Sequence, residues 1–321
     1  MDWQLYKSDC CEFVRFVLYC LGVCDRADLP RQNKRKKDRG VMNIFNSPVE
    51  VVKANIGAGK TKGDLPLIKM ILLGILAGAF IAIGGEASNL AVHGISDVGL
   101  ARTLAGAIFP VGLMMIVLIG GELFTGNCMI IMAVLAKETT WLKYIRNLVV
   151  VFFSNLVGAL IVDILVFYSG QWNYSGGGLG AYTIKVAYGK VNLGFGQCIA
   201  SGIMCNILVC VAVLMAIAAK DIAGKILAIF FPIWAFVISG FEHCVANMFY
   251  IPAGILAASN ASYVAKAGEL YGLTEQQCAS VNASSMVGNM IPVTIGNIIG
   301  GAIFVGAFLY LIHIRNWNKE K

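Results

Sequence analysis

Long apolar runs separated by short polar stretches dominate the chain. A transmembrane helix needs roughly 20 consecutive apolar residues. If each interrupted run is one broken helix, the pattern predicts six membrane spans, with the second and fifth broken. The runs lie at about 67 to 85, 103 to 119 with 128 to 136, 147 to 168, 192 to 219, 226 to 238 with 244 to 258, and 289 to 314.

The two interruptions share one sequence pattern. Residues 120 to 127 match residues 240 to 247, each with Gly two residues before Glu and Asn five residues after it. Ionisable groups at membrane depth are usually functional, and irregular backbone is tolerated there only around an internal cavity. Asn155 and Asn297 also correspond in the third and sixth spans. Three spans in each half predict an inverted repeat, with a binding site where the broken segments meet.

Composition supports a membrane protein and argues against other classes. The chain is 58% hydrophobic and 13% charged, whereas soluble domains carry about 25% charged residues. The net charge of +7 comes from basic residues at segment ends rather than along one face, which argues against a nucleic-acid partner. Their distribution predicts a multi-pass protein of the cell (inner) membrane with both termini cytoplasmic and outer loops at about 170 to 190 and 259 to 288. The ten cysteines lack metal-ligand spacing and are expected to be buried, reduced thiols, with no metal or cofactor.

The N-terminal part divides into two segments. Residues 1 to 41 hold a mixed stretch followed by a basic run at 31 to 39, the reverse order of a signal peptide. They are either a product of an upstream start or a membrane-surface anchor. Ser47-Pro with Glu50 predicts a capped cytoplasmic helix within residues 42 to 66. The six-span domain then covers 67 to 316, and 317 to 321 form a cytoplasmic tail.

Three motifs resemble the formate/nitrite transporter family. They are residues 121 to 125 (Gly-Glu-Leu-Phe-Thr), 240 to 249 and 291 to 301, and the resemblance covers about residues 47 to 317. It implies an all-α integral membrane protein of aquaporin-like architecture. It also implies a homopentamer in the lipid bilayer, with one pore for small monovalent anions in each subunit. The paired Asn-Pro-Ala signatures of aquaporins themselves are absent.

The same resemblance implies site residues. His243 is similar to the family's central pore histidine, Thr125 to its partner on the first broken loop, and Lys190, in a predicted outer loop, to the basic residue on the outer side of the pore. The apolar constrictions correspond to Phe109, Leu113 and Phe124 on the cytoplasmic side, and to Phe236 and Val209 on the outer side.

Residue type alone supports a functional role at some of these positions and a structural or solvated role at others. A histidine beside Glu242 in a glycine-flanked break favours a functional role for His243. Sequence favours a solvated charge for Lys190 and core or lipid-facing positions for the phenylalanines. Supporting roles are expected of Glu122 and Glu242, whose buried carboxylates need donors; the amides of Asn127, Asn206 and Asn247 are expected to supply them. A supporting role is also expected of Asn297.

These features predict a channel or transporter, not an enzyme. The expected substrate is formate, with nitrite, hydrosulfide or lactate as alternatives, and His243 is expected to protonate the anion in the pore. A membrane-embedded enzyme using Cys244 or His243 is the rival class. It would need a base, an orienting group and an oxyanion site that converge on one pocket, and the sequence offers no second catalytic histidine.

Overall fold

The structure is a computed structural model that describes residues 45 to 315. Within that range the chain is helical, and its only bridge of β type joins Phe45 to Ala219. The helices are α1 (Pro48–Gly63), α2 (Leu67–Val92), α3 (Val98–Ile119, kinked at Pro110), α4 (Phe124–Leu135), α5 (Trp141–Ser169), α6 (Tyr174–Val191), α7 (Phe195–Ala218), α8 (Ile222–Ser239), α9 (Cys244–Ala258), α10 (Ala261–Tyr271), α11 (Glu275–Ala279) and α12 (Ala283–His313).

Six of these helices are long and apolar enough to cross a membrane: α2, α3, α5, α7, α8 and α12. They confirm the predicted spans, although several extend beyond the apolar runs; α5, for example, begins at Trp141 rather than near residue 147. Much of their outer surface is apolar and exposed, including Phe153 at 60% and Leu165 at 63%. Such a surface is compatible with lipid or a neighbouring subunit, not with water.

Glycine ends the two helices that run into the breaks. The φ angle is +115° at Gly120, after α3, and +70° at Gly240, after α8. A residue with a Cβ rarely adopts either conformation, so glycine lets the helix stop at membrane depth. The shorter helices α4 and α9 begin after the breaks, at Phe124 and Cys244. Both predicted interruptions are therefore present.

The predicted outer loops are wrong in their structure. The segment at about 170 to 190 is mostly α6, and 259 to 288 contains α10, α11 and the start of α12. Leu179 and Ile184 of α6 are fully buried, so this helix belongs to the core. Helix α10 turns away from α9 by 107°. The search for apolar runs did not find these helices, because they are short and rich in Gly, Ser and Tyr rather than continuously apolar.

The predicted capped helix near the N-terminus is confirmed as α1. The backbone N–H of Ser47 donates to the Glu50 carboxylate at 2.7 Å, and that of Glu50 donates to the Ser47 hydroxyl at 3.4 Å. The cysteines between residues 45 and 315 are all buried and unpaired, as expected. The expectations for residues 1 to 41 and 317 to 321 lie outside the described residues.

Candidate functional site

Each break is held by a glutamate and the asparagine five residues after it. The Asn127 Nδ2 donates to Glu122 Oε2 at 2.6 Å, and the Asn247 Nδ2 donates to Glu242 Oε2 at 2.6 Å. Both carboxylates are about 95% buried. The expected amide donors are thus present at Asn127 and Asn247. Because the two distances agree, the two halves of the chain hold their breaks in the same way.

A lysine completes each of these pairs. Lys190 Nζ lies 2.9 Å from Glu242 Oε1, and Lys62 Nζ lies 3.0 Å from Glu122 Oε1. Lys190 was expected in an outer loop, but it lies in the last turn of α6 with its side chain 15% exposed. The helix places its amine against a buried carboxylate, so part of its charge is already neutralised. Lys62, at the end of α1, was not predicted as a site residue.

Two further asparagines that the sequence reasoning missed join each network. Asn147 accepts from Asn127 at 2.7 Å and donates to the Lys62 carbonyl at 3.1 Å. Asn289 accepts from Asn247 at 2.8 Å and donates to the Lys190 carbonyl at 2.9 Å. A signal for them exists, because each lies eight residues before the Asn already matched between the spans, Asn155 and Asn297.

Asn155 and Asn297 fix the backbone on either side of the breaks. The Asn155 Oδ1 accepts from the Phe124 N–H at 3.0 Å, and its Nδ2 donates to the Glu122 carbonyl at 2.9 Å. Asn297 bonds the N–H of Cys244 at 2.9 Å and the carbonyl of Glu242 at 3.0 Å. These bonds satisfy backbone groups that the broken helices leave open, which buried backbone requires.

Asn206 joins the two halves rather than the glutamates. Its Nδ2 donates to the carbonyls of Thr125 at 3.2 Å and Asn297 at 2.6 Å. The expectation that it donates to Glu122 or Glu242 is therefore wrong. Its place at the middle of α7 puts it between the first break and α12. Asn206 thereby fixes the separation of the two broken segments.

His243 and Thr125 meet where the broken segments converge. The distance between Thr125 Oγ1 and His243 Nε2 is 2.9 Å, and the two residues are 0% and 2% exposed. His243 also caps α9, because its Nδ1 accepts from the Ala246 N–H at 3.0 Å. A ring nitrogen that accepts carries no proton, so the neutral imidazole has its proton on Nε2 and donates to Thr125.

Two cavities approach this pair. The first cavity, about 550 Å³, is bordered by Lys190, His243 and Tyr250, and the second, about 340 Å³, by Lys62, Glu122 and Leu123. Each cavity therefore has one lysine of the repeated network at its wall. The N-termini of α4 and α9 lie at the break, where the aligned peptide dipoles give a positive potential.

The phenylalanine positions differ from the expectation. Phe109 was grouped with Leu113 and Phe124, away from Phe236, but the Phe109 and Phe236 rings are 5.4 Å apart and both border the first cavity. Phe109 precedes the kink at Pro110, whereas Leu113 follows it and borders the second cavity.

The other two constriction candidates, Phe124 and Val209, are buried but border neither cavity. The ring of Phe124 packs edge-on against Phe152, with 5.1 Å between the ring centroids.

Comparison with known proteins identifies the family. The family model described as "Formate/nitrite transporter" matches residues 49–311, which include both breaks and the whole lysine network. The chain belongs to the formate/nitrite transporter family. A probable formate transporter of Methanothermobacter thermautotrophicus is 40% identical over 289 residues, covering 84% of this chain and 98% of that protein. A formate channel of Bacillus thuringiensis is 38% identical over 280 residues, covering 86% and 99%.

A solved structure described as a pentameric formate channel with formate bound is similar to this chain. It is 36% identical with a TM-score of 0.68, covering 78% of this chain and 98% of that one. Membership in the formate/nitrite transporter family makes this chain a multi-pass membrane protein of a channel and transporter class. It also accounts for the repeated site, because helices broken at mid-membrane are how transport proteins build a binding site between repeats.

Proposed function

We propose that the protein is a homopentameric channel for small monovalent weak-acid anions, with formate as the first candidate, and that each subunit conducts through the Thr125–His243 pair. The hydrogen bond between these two buried side chains carries the proposal, because it joins the two broken segments at the point that both cavities approach. The formate-channel relatives and the pentameric neighbour support the substrate and the assembly.

The charge of the anion is the physical problem that such a pore solves. A bare ion in a low-dielectric constriction carries a penalty that can reach tens of kcal/mol. Lys190 and Lys62 border the cavities and, with the N-termini of α4 and α9, raise the local anion concentration. Between them, Phe109, Phe236 and Leu113 present apolar surface, which the neutral acid crosses more easily than its anion.

Protonation of the anion is assigned to His243, and the hydrogen-bond pattern sets a condition on it. The neutral imidazole donates Nε2–H to Thr125 and caps α9 through Nδ1. A histidine that gives up a proton and remains neutral must first be charged, with both nitrogens protonated. The charged ring cannot accept from the Ala246 N–H. Proton transfer therefore requires the first turn of α9 to lose its cap for part of the transport cycle.

Flux into vesicles that contain the purified protein tests the proposal. Formate, nitrite, hydrosulfide and lactate are compared across a pH series for the native protein, His243→Asn, Thr125→Ser and Thr125→Val. His243→Asn should change both the flux and its pH dependence, because it keeps polarity and removes titration. Thr125→Ser keeps the hydroxyl and should behave as the native protein, whereas Thr125→Val should reduce flux.

Two results would contradict this function. Unchanged flux and pH dependence in His243→Asn would show that His243 only caps α9 and does not protonate the anion. Turnover of a substrate by the protein in detergent, with no flux in vesicles, would favour the membrane-embedded enzyme instead. A preference for nitrite, hydrosulfide or lactate over formate would keep the channel and correct its substrate.

A further inference from the structure

Two buried carboxylates outside the pore lack the partners that the others have. Four carboxylate residues in the described part of the chain are buried: Glu86, Glu122, Asp163 and Glu242. Glu122 and Glu242 each have a lysine within 3.0 Å and an asparagine donor. Among residues 45 to 315, no ion pair involves Glu86 or Asp163.

Glu86 and Asp163 also lack the hydrogen-bond donors that would stabilise a negative charge. Asp163 is fully buried, and neither of its oxygens has a partner. Glu86 is 5% exposed; its Oε1 accepts from the Trp172 Nε1 at 3.1 Å, and its Oε2 has no partner. An ionised carboxylate without donors carries a large desolvation penalty, and two in one apolar region also repel each other. The neutral acid is the form that fits this place.

The pair lies between two closely packed helices. Glu86 is on α2 and Asp163 on α5, each six residues before the end of its helix. These helices run in the same direction, because Gly74 faces Ser154 and Gly78 faces Asn155. Both carboxyls therefore lie about 9 Å from helix ends at 1.5 Å per residue. Those ends are on the side of the first cavity, which residues just after α2 border.

Asn89 connects the pair to that cavity. It is 4% exposed, borders the first cavity and has an Nδ2 without a partner. Residues three apart on a helix are neighbours on its surface, so Asn89 lies on the same face of α2 as Glu86, one turn closer to the residues of the first cavity. The ring of Tyr250, another wall of the cavity, passes beside Gly85: a Cβ there would lie 3.4 Å from the Tyr250 Cζ.

The surrounding charged and titratable groups are engaged elsewhere. On α9 the phenol of Tyr250 lies near Glu86, and Tyr182 on α6 lies near Tyr250. His93, at the end of α2, bonds the Leu90 carbonyl and the Ser175 hydroxyl. The cations of the first cavity contact other groups: Arg102 the Ile238 carbonyl, Lys185 the Tyr271 ring, and Lys190 Glu242.

We propose that Glu86 and Asp163 form a proton-binding site inside each subunit that exchanges protons with the first cavity along Asn89. The proton arrives from cavity water and returns to it, so no other reactant is needed. A metal cation is a poorer ligand, because hard cations such as Ca²⁺ take about 6–8 oxygen ligands. The pair offers three free carboxylate oxygens. The site does not depend on which anion the pore carries.

Infrared difference spectroscopy of the purified full-length protein tests the proposal. At neutral pH the native protein should show the carbonyl stretch of a protonated carboxylic acid, shifted in heavy water. Asp163→Asn and Glu86→Gln should each alter the band, and the double variant should lack it. Glu269→Gln, which removes an exposed carboxylate held by Lys266, is the matched control and should leave the band unchanged. Asn89→Leu should slow the heavy-water shift several-fold.

Each variant is compared only after it elutes as the native oligomer. Absence of the band from the native protein, or its survival in the double variant, overturns the site. Loss of the band when potassium in the buffer is replaced by sodium would assign the site to a metal cation and also overturn it. An unchanged exchange rate in Asn89→Leu would reject the route to the cavity.

Discussion

The side chains at the centre of the molecule that are proposed to act in transport also make contacts that hold the fold. His243 caps α9 with one nitrogen and holds Thr125 with the other. Lys190 neutralises Glu242 and still borders the first cavity. Substitutions at these positions are therefore expected to alter stability as well as flux, and the two effects must be separated in any measurement.

Variants of Lys190 and Glu242 allow the effect on stability to be measured apart from the effect on flux. Lys190→Met leaves the Glu242 carboxylate buried without its cation, which typically costs about 3–5 kcal/mol. We expect a lower thermal unfolding temperature of the oligomer in detergent, and recovery of most of the loss in Lys190→Met/Glu242→Gln. Lys266 and Glu269 make a pair of the same 2.9 Å length on the surface. Lys266→Met should cost less than about 1 kcal/mol. Equal losses in the two single variants would contradict this account.

Residue types at the breaks and their asparagine partners were predictable, but the lysines that pair with the glutamates were not. Glu122, Glu242, His243 and the following asparagines stand out because polar residues interrupt apolar runs. Lys62 and Lys190 lie in short polar stretches of ordinary composition, so the sequence alone predicts a solvated charge at each position. Only the fold brings each lysine to a glutamate 60 and 52 positions further along the chain, respectively.

The helices repeat as a set. Helix α1 ends at the lysine of one network and α6 at that of the other, while α5 and α12 supply the paired asparagines. The sequence indicated this repeat from the breaks and spans, and it missed α1 and α6 as members. Short amphipathic or glycine-rich helices give no run of apolar residues, so their place becomes visible only through their contacts. The opposite orientation of the halves remains a prediction of the span count.

The break after α3 depends on the backbone of Gly120. Its φ of +115° strains any residue with a Cβ, although a Cβ there would meet no atom within 4 Å. Gly120→Ala should therefore destabilise the oligomer by about 1–3 kcal/mol through backbone strain alone. Gly189, in the last turn of α6, also has open space around it and no positive φ. Gly189→Ala should be neutral or stabilising. Thermal unfolding in detergent compares the two, and matching transitions would show that the break tolerates a Cβ.

At the scale of the whole molecule, the fold followed from apolar run lengths and the family resemblance together. Run lengths gave the number of spans, because the bilayer fixes how many apolar residues a helix needs. They do not determine assembly, since the exposed apolar faces of α2 and α5 suit lipid and a neighbouring subunit equally. The cytoplasmic location of both termini also remains a prediction. Accessibility of single cysteines at residues 47 and 315 to a membrane-impermeant reagent measures it, and labelling from opposite sides would contradict it.

The boundary between the N-terminal extension and the channel is expected near Met42. The family model begins at residue 49. Near the start of the described residues, Asn46 ties the chain to the end of α7: its backbone N–H donates to the Ala218 carbonyl at 2.9 Å, and its Nδ2 donates to the Ile217 carbonyl at 2.8 Å. These bonds satisfy carbonyls at the end of α7. Removal of residues 1 to 41 keeps them all.

The truncated protein that begins at Met42 should therefore retain the oligomer, its thermal unfolding temperature and its formate flux. Asn46→Ala in the same background removes the side-chain bond at the end of α7 and should lower stability by about 1 kcal/mol. Size-exclusion chromatography, thermal unfolding and vesicle flux are measured on both forms. If truncation abolished assembly and flux while Asn46→Ala had no effect, residues 1 to 41 would be part of the channel and the boundary would lie elsewhere.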